Sequence, residues 1–197
     1  MQLGNSDLRL THNYGVALYH SDRFDEAIGQ LQKCASQNHP DPRTYQIMGM
    51  ALWKKDQFEE AIEATRVGTQ YAQQMEDTQM RVKCLQNTSY YLFEIARKAI
   101  GGDPVRSRMI QNESSMEAAR LVDELFAILQ PEQIIPNYHD TRGCVRLWRG
   151  DYHGAREDFT AAMDMWKSKM GSYKELYVQH LGWADELLRR ERVASRN

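Results

Sequence analysis

The sequence predicts an all-α protein built from repeated pairs of helices, and two observations support this prediction. The first is a period of 34 residues (49 − 15 = 34), over which the residues from Gly15 to Ile28 return between Gly49 and Ile62. The identical pairs are Gly15/Gly49, Leu18/Leu52, Asp22/Asp56, Phe24/Phe58, Glu26/Glu60, Ala27/Ala61 and Ile28/Ile62. The second is that apolar residues within each period recur at steps of three and four, the spacing of one helix face. A fixed period of this length is typical of arrays in which each helix pair packs on the next.

Each period contains two helices, called here helix A and helix B. In the first period, apolar residues from Leu8 to Leu18 line one face of helix A. Asp22 is predicted to be the N-cap of helix B, and helix B is expected to end near Gln37. Pro40 follows and prevents a longer helix.

The second period begins with Asp41 and Pro42. An acidic N-cap followed by proline at the first helical position is a common helix start, so this dipeptide predicts the next helix A. Small residues such as Gly15 and Ala27 allow the two helices of a pair to approach closely, and Phe24 is expected to fill the space between them.

These residues resemble the tetratricopeptide repeat, a helix-turn-helix unit of 34 residues. With Leu8 and Pro42 as position 1, glycine falls at position 8, phenylalanine at position 17 and alanine at position 20 of both repeats. A further copy begins at Pro136, and its matching residues are Gly143, Gly150, Tyr152, Ala155, Phe159 and Ala162. The resemblance implies a right-handed superhelical array of repeats, an α-solenoid.

A third, lengthened repeat is predicted between these copies, with Val82 at position 1. Its helix A is expected to end at Gly101, and residues 101–113 are expected to form a loop that is either mobile or packed over one end. Deletion of residues 102–111 is expected to leave the fold intact. Ser114 and Glu117 have the spacing of a capping box, so helix B is predicted to start at Ser114.

The C-terminal segment predicts a capping helix over residues 172–190, started by a capping box of Ser172 and Glu175. The residues of its amphipathic face recur at steps of three and four and are Tyr173, Leu176, Tyr177, His180, Leu181, Ala184, Leu187 and Leu188. Leu181, Leu187 and Leu188 are expected to bury against helix B of the fourth repeat near Phe159 and Met163. The prediction is therefore one domain over residues 1–197, with repeats at 8–41, 42–75, 76–135 and 136–169.

The composition limits the classes of function. A net charge of −2 gives no reason to expect a nucleic-acid or membrane partner, and no apolar run is long enough to span a bilayer. The three cysteines are odd in number and widely spaced, and the first residues lack the apolar core of a signal peptide. We therefore expect reduced thiols and a cytoplasmic protein.

No catalytic or cofactor motif is present, so we expect neither an enzyme nor a cofactor. His139, Asp140 and Cys144 lie close together in the sequence at the start of one helix. A structural zinc site needs four ligands, and the sequence supplies no fourth one for this group. No metal site is therefore predicted.

A binding surface remains. In the tetratricopeptide family the A helices line a concave groove, and the resemblance carries this role to defined positions of the present chain. The groove residues so predicted are Arg9, Asn13, Tyr19, Arg43, Ile47, Met50, Trp53, Lys83, Asn87, Tyr90 and Phe93. Position 2 is basic in three repeats and position 12 is aromatic in three, which suits a peptide with acidic and apolar residues.

The alternative is that the position-12 aromatics pack against neighbouring helices. If Trp53 is a groove residue, Trp53→Ala should weaken partner binding without unfolding the protein. Phe58→Ala, by contrast, should lower the stability of the protein. The sequence thus favours a protein-binding scaffold or adaptor. Two alternatives stay open: a small secretion chaperone of the tetratricopeptide type, and a structural array that self-assembles through its terminal helices into a homo-oligomer.

Overall fold

The computed structural model describes residues 5–37, 41–107 and 109–196, and all regular structure within these ranges is helical. The helices are α1 Asn5–His20, α2 Phe24–Ser36, α3 Pro42–Lys54, α4 Phe58–Gln74, α5 Thr78–Ala99, α6 Glu113–Ile128, α7 Pro136–Arg149, α8 Tyr152–Met170 and α9 Glu175–Ala194. A short 3₁₀ turn, Pro131–Gln133, precedes α7. Pro40, predicted to limit α2, lies outside the described residues.

The chain divides into two compact units, residues 1–91 and 92–197, and the boundary falls within α5. The first unit holds α1 to α4 and most of α5, and the second holds the end of α5 and α6 to α9. The expectation of one domain over residues 1–197 remains a prediction.

Close helix packing in the first unit follows from the small residues of the repeat. A side-chain carbon added at Gly49 of α3 would lie 2.7 Å from Cγ2 of Thr65 and 3.0 Å from the carbonyl oxygen of Ala61, both on α4. Ala27 and Ala61 are fully buried at the equivalent position of α2 and α4. The predicted role of the small residues in close helix approach is therefore confirmed.

The turn between the helices of a pair differs from the prediction. Asp22 and Asp56 adopt left-handed backbone conformations, with φ of 57° and 58°, and Arg23 is the N-cap of α2 without a side-chain cap. The amide of Arg23 donates to the carbonyl of Leu18, which closes the end of α1. Asp22 is thus not an N-cap: it reverses the chain after α1, a role that aspartate tolerates better than most residues.

At the starts of α3 and α6, one prediction is confirmed and the other is wrong. Asp41 caps α3 as predicted, since its carboxylate accepts a hydrogen bond from the amide of Arg43, and Pro42 is the first helical residue. In the second unit, α6 is capped by Asn112 and Ser115, whose side chains and amides bond reciprocally at 3.1 and 3.0 Å. The predicted start at Ser114 is therefore wrong by one residue, because Asn112 takes the capping role.

The predicted capping box of the last helix is also wrong. Lys174, and not Ser172, is the N-cap of α9, and it makes no side-chain capping bond. Tyr173, predicted on the apolar face of this helix, precedes α9 and is exposed.

The segment that follows α5 belongs to the second unit and packs against other residues of that unit. Met109 is 5% exposed, and the indole Nε1 of Trp148 donates to the carbonyl of Ile110 at 2.9 Å. The side-chain amide of Gln111 donates to the carbonyl of Arg149 at 2.6 Å. The described residues of this loop are therefore packed, which agrees with the second of the two alternatives and argues against the expectation that residues 102–111 are dispensable.

The last helix packs on α8 and contacts α7, as expected for a capping helix. Its buried residues are Tyr177, His180, Ala184 and Leu188. Leu181 and Leu187, predicted to be buried, are only half-buried. The ring of His180 contacts Phe159, with ring centres 5.4 Å apart.

None of the helices in the described ranges combines the length and the apolar character that crossing a membrane requires.

Candidate binding surface

A recess in the first unit brings together three of the residues that the sequence predicts as partner-binding. Arg9 and Asn13 reach it from α1, and Arg43 reaches it from the first turn of α3. Its volume is about 350 Å³. The lining residues are Arg9, His12, Asn13, Asp41, Pro42, Arg43, Met75 and Asp77. This surface, called here the α1–α3 recess, joins neighbouring A helices to the turn between α4 and α5.

The A helices that form the recess are linked by a hydrogen bond. Nδ1 of His12 lies 2.8 Å from Oγ1 of Thr44, which is fully buried on α3. Since an unpaired buried hydroxyl would cost stability, this bond favours one arrangement of α1 against α3. The packing of α1 against α3 therefore supports one side of the recess.

The charges of the α1–α3 recess are mixed, whereas the sequence suggested a basic row. Nε of Arg43 lies 3.1 Å from Oδ1 of Asp41, and the Arg43 side chain is 66% exposed. Asp77 accepts a hydrogen bond from the amide of Met80 at 3.0 Å. The two carboxylates of the recess thus bond to backbone amides at the starts of α3 and α5, while Arg9 and Arg43 extend into solvent.

The position-12 aromatics of the first two repeats pack against the aromatic residue at position 17 of the same repeat. The rings of Tyr19 and Phe24 have centres 5.8 Å apart, and those of Trp53 and Phe58 are 4.8 Å apart. Trp53 also stacks on Tyr91 at 4.2 Å with an angle of 5° between the rings. Burial raises the pKa of Tyr91, with a smaller contribution from Tyr19.

These contacts favour the packing interpretation of the aromatic row. Tyr19 and Trp53 are half-buried, so each keeps some exposed surface. Phe93, the third member, is fully buried in the second unit and offers no surface to a partner. Its assignment to the groove is therefore wrong: the same period that places a residue on one helix face does not decide what covers that face.

The remaining predicted residues of the first unit, Ile47, Met50, Lys83, Asn87 and Tyr90, are half-buried. The side-chain amide of Gln46 donates to the sulfur of Met50 at 2.8 Å. In the part of the chain that the structure describes, the buried amide nitrogen of Asn87 has no hydrogen-bond partner. Unpaired buried donors are uncommon in folded proteins.

A charged network in the second unit links α7 to α8. Asp158 of α8 is 2% exposed and accepts hydrogen bonds from Arg142 at 2.6 Å and Arg146 at 2.9 Å. Its carboxylate also lies 2.8 Å from Nδ1 of His139. Burial raises the pKa of Asp158, but the bonds with His139 and Arg142 and the charges of Arg142 and Arg146 outweigh it and lower the pKa. The two arginines of α7 thus neutralise a buried carboxylate.

The group His139, Asp140 and Cys144 does not come together as one cluster. His139 contacts Asp158, whereas Asp140 and Cys144 meet His180 of α9. His180 could not be assigned from the sequence because it lies 36 residues after Cys144 and on another helix.

The comparisons with known proteins identify the fold and nothing finer. No family model and no curated protein matches the sequence. The chain is similar to the solved structure "MamA RS-1 ArsTM double mutant", with a TM-score of 0.60 and 14% identity over 95% of this chain and 97% of that one. A second structure, "MamA 41-end from Desulfovibrio magneticus RS-1", is 16% identical and covers 85% of this chain and 98% of that one. Its TM-score is 0.33, which is too low to support a conclusion about this chain.

The residues that the structure describes form a helical-repeat fold similar to that of MamA. The 34-residue repeat of the sequence agrees with this fold. At 14% sequence identity, the similarity between this chain and MamA concerns the fold alone.

Proposed function

We propose that the protein is a non-enzymatic scaffold or adaptor that binds a peptide or helix of another protein. The α1–α3 recess carries this proposal, because it is a recess of about 350 Å³ that exposes two arginines beside polar and apolar side chains. Arginine residues at the centre of an interface often contribute a large share of the binding energy. In this proposal α1, α3 and α5 line a concave groove of a right-handed superhelical array.

The chemistry of the recess favours a partner segment with both acidic and apolar residues. Arg9 and Arg43 can pair with carboxylates of the partner, and Met75, which is 55% exposed, offers apolar surface. Free, buried thiols at Cys34, Cys84 and Cys144 are consistent with a cytoplasmic location.

Binding is tested by affinity capture with a charge-reversed recess. The wild-type chain and the Arg9→Glu/Arg43→Glu variant are immobilised, and the captured proteins are compared by mass spectrometry. We expect a defined partner to be retained by the wild type and lost from the variant, with a difference that decreases as salt is added. The matched control is Arg66→Glu on α4, an exposed arginine outside the recess lining.

Equal capture by the wild type and the recess variant would contradict the proposed surface. A circular-dichroism spectrum of each variant separates lost binding from lost folding. Capture of many unfolded proteins in place of one partner would favour the secretion-chaperone alternative.

Self-assembly through the terminal helices is a second candidate function, and exposed apolar residues of α1 and α9 favour it. Leu10 and Tyr14 of α1 are 68% and 50% exposed, and Val178 of α9 is 47% exposed. Leu10 and Tyr14 are four residues apart and share one helix face. An array built through these helices would show a mass that rises with protein concentration.

A further inference from the structure

Three side chains of different chemistry meet in the interior of the second unit. Asp140 and Cys144 lie one turn apart on α7, and His180 faces them from α9. Nδ1 of His180 lies 2.8 Å from Oδ1 of Asp140 and 3.6 Å from Sγ of Cys144. The three ligand atoms all lie within 4.8 Å of one another, and the residues are 4%, 0% and 1% exposed, respectively.

A catalytic triad does not account for this geometry. In a cysteine–histidine–aspartate relay the thiol and the carboxylate use opposite nitrogens of the imidazole ring. Here Asp140 and Cys144 both approach Nδ1 of His180.

Two contacts of the group converge on one atom. A single ring nitrogen carries at most one proton, so the contacts of Nδ1 of His180 with Asp140 and with Cys144 have to share it. A metal ion has no such limit, because it binds all three atoms at once.

We propose that Asp140, Cys144 and His180 bind a divalent zinc ion. Carboxylate, thiolate and imidazole are all common zinc ligands. Zinc–ligand bonds of about 2.0–2.3 Å in tetrahedral geometry separate sulfur from nitrogen by about 3.6 Å and nitrogen from oxygen by about 3.3 Å. The sulfur–nitrogen distance of 3.6 Å already fits, and the nitrogen–oxygen distance of 2.8 Å has to open by about half an ångström.

The charge of the filled site suits its burial. The thiol of Cys144 loses its proton to solvent when the ion binds, so a doubly charged cation meets one thiolate, one carboxylate and one neutral imidazole. The sum is zero, and a neutral complex avoids the cost of an unpaired buried charge. Within the described ranges the cluster has three such ligands, which leaves the fourth tetrahedral position to water.

Aromatic neighbours hold the histidine ring in place. The ring of His180 stacks on Trp183 with centres 4.7 Å apart, and Phe159 lies on it at 5.4 Å. Packing of this kind limits the rotation of the imidazole and keeps Nδ1 directed at Asp140 and Cys144. Ligands that are oriented before the ion arrives lose less conformational entropy on binding.

Cobalt(II) is the probe for this site, because a cobalt–thiolate bond has its own charge-transfer absorption. The full-length chain is treated with chelator, dialysed and titrated with cobalt, and zinc is then added to displace it. We expect one cobalt per chain, a thiolate charge-transfer band, and loss of the band with zinc. Cys144→Ser should remove the band and weaken binding tenfold or more, while Cys34→Ser, at another buried cysteine, should keep both.

A wild-type chain that binds no cobalt, or a folded Cys144→Ser variant with the wild-type spectrum, would overturn the proposal. Thermal melting of the wild type covers the case in which Cys144→Ser does not fold. Zinc that binds only the native site raises the melting temperature, and an unchanged melting temperature at saturating zinc would reject the site. The three side chains would then be a buried hydrogen-bonded group only.

Discussion

At the scale of single residues, Trp53 is both packed against other side chains and partly exposed to solvent. Its ring stacks on Tyr91 and contacts Phe58, yet part of it remains exposed. A side chain in such a position contributes to packing first, because its apolar contacts exist whether or not a partner is bound. Exposure alone is therefore a poor criterion for a binding residue in this chain.

We expect Trp53→Ala to lower the free energy of unfolding by about 2–3 kcal/mol, less than a fully buried tryptophan would. The reason is the loss of the contacts with Tyr91 and Phe58. Urea denaturation followed by circular dichroism measures the change. Tyr14→Ala, at a tyrosine 50% exposed, is the control and should change stability by less than about 0.5 kcal/mol. If the urea midpoint of Trp53→Ala equals that of the wild type, Trp53 belongs to the partner-binding surface and not to the packed core.

The buried carboxylate of Asp158 gives a pH-dependent prediction. Its pKa in the folded chain is lowered, so its stabilising effect is present above the ordinary aspartate pKa of 3.8 and is lost as the pH falls through the lowered value. We expect Asp158→Asn to cost about 2–3 kcal/mol at about pH 6, because Arg142 and Arg146 lose their charge partner, and less at about pH 3. Urea midpoints at the two pH values measure this.

The control for Asp158 is Asp185→Asn. Asp185 bonds Arg156 at 2.7 Å, but both side chains are about half exposed, so the expected cost is under about 1 kcal/mol. Equal costs for the two variants, or a cost at Asp158 that does not fall at low pH, would show that the Asp158 carboxylate is not a main source of stability.

At the scale of elements, the loop after α5 acts as a packed segment of the second unit. Pro104 and Met109 are buried, and the carbonyl of Ile110 is the acceptor for the fully buried Trp148. Arg190 of α9 donates to the carbonyl of Val105. The loop thus supplies core side chains and backbone acceptors, which a short connection could not replace.

We expect deletion of residues 102–111 to lower the unfolding midpoint, by more than the small entropic effect of changing loop length. Removing Met109 alone should cost about 2–5 kcal/mol, as for other buried methionines. Ile110→Ala is a matched control, since its side chain is 76% exposed and the variant keeps the carbonyl that Trp148 uses. A deleted chain that unfolds cooperatively at the wild-type temperature would show that this packing is unimportant.

At the scale of the whole molecule, binding and self-assembly make opposite predictions about mass. For the proposed adaptor we expect a single-chain mass of 23.0 kDa by light scattering at every concentration tested. A mass that grows with concentration, and that returns to one chain in Leu10→Lys, would establish the array. Val193→Lys, near the end of α9 and 51% exposed, serves as a comparison for the other terminal helix.

The sequence by itself determined the helix pairs and their close approach. Its signals for these features are local: a 34-residue period, steps of three and four, and small residues such as Gly49 where two backbones meet. The Asp41–Pro42 start of α3 is equally local, since a cap bonds amides two or three residues away. Features of this kind need no knowledge of what lies on the far side of a helix.

Only the tertiary structure decided which faces are covered and which side chains meet. Phe93 shares position 12 with Trp53 but is fully buried, and His180 reaches Asp140 across 40 residues of chain. Likewise, the sequence left open whether the loop around Met109 is mobile or packed, and the burial of Met109 decided for packing. The physical reason is that burial and long-range hydrogen bonds arise when separate elements pack together, and the periodicity of one helix contains no information about the surface placed against it.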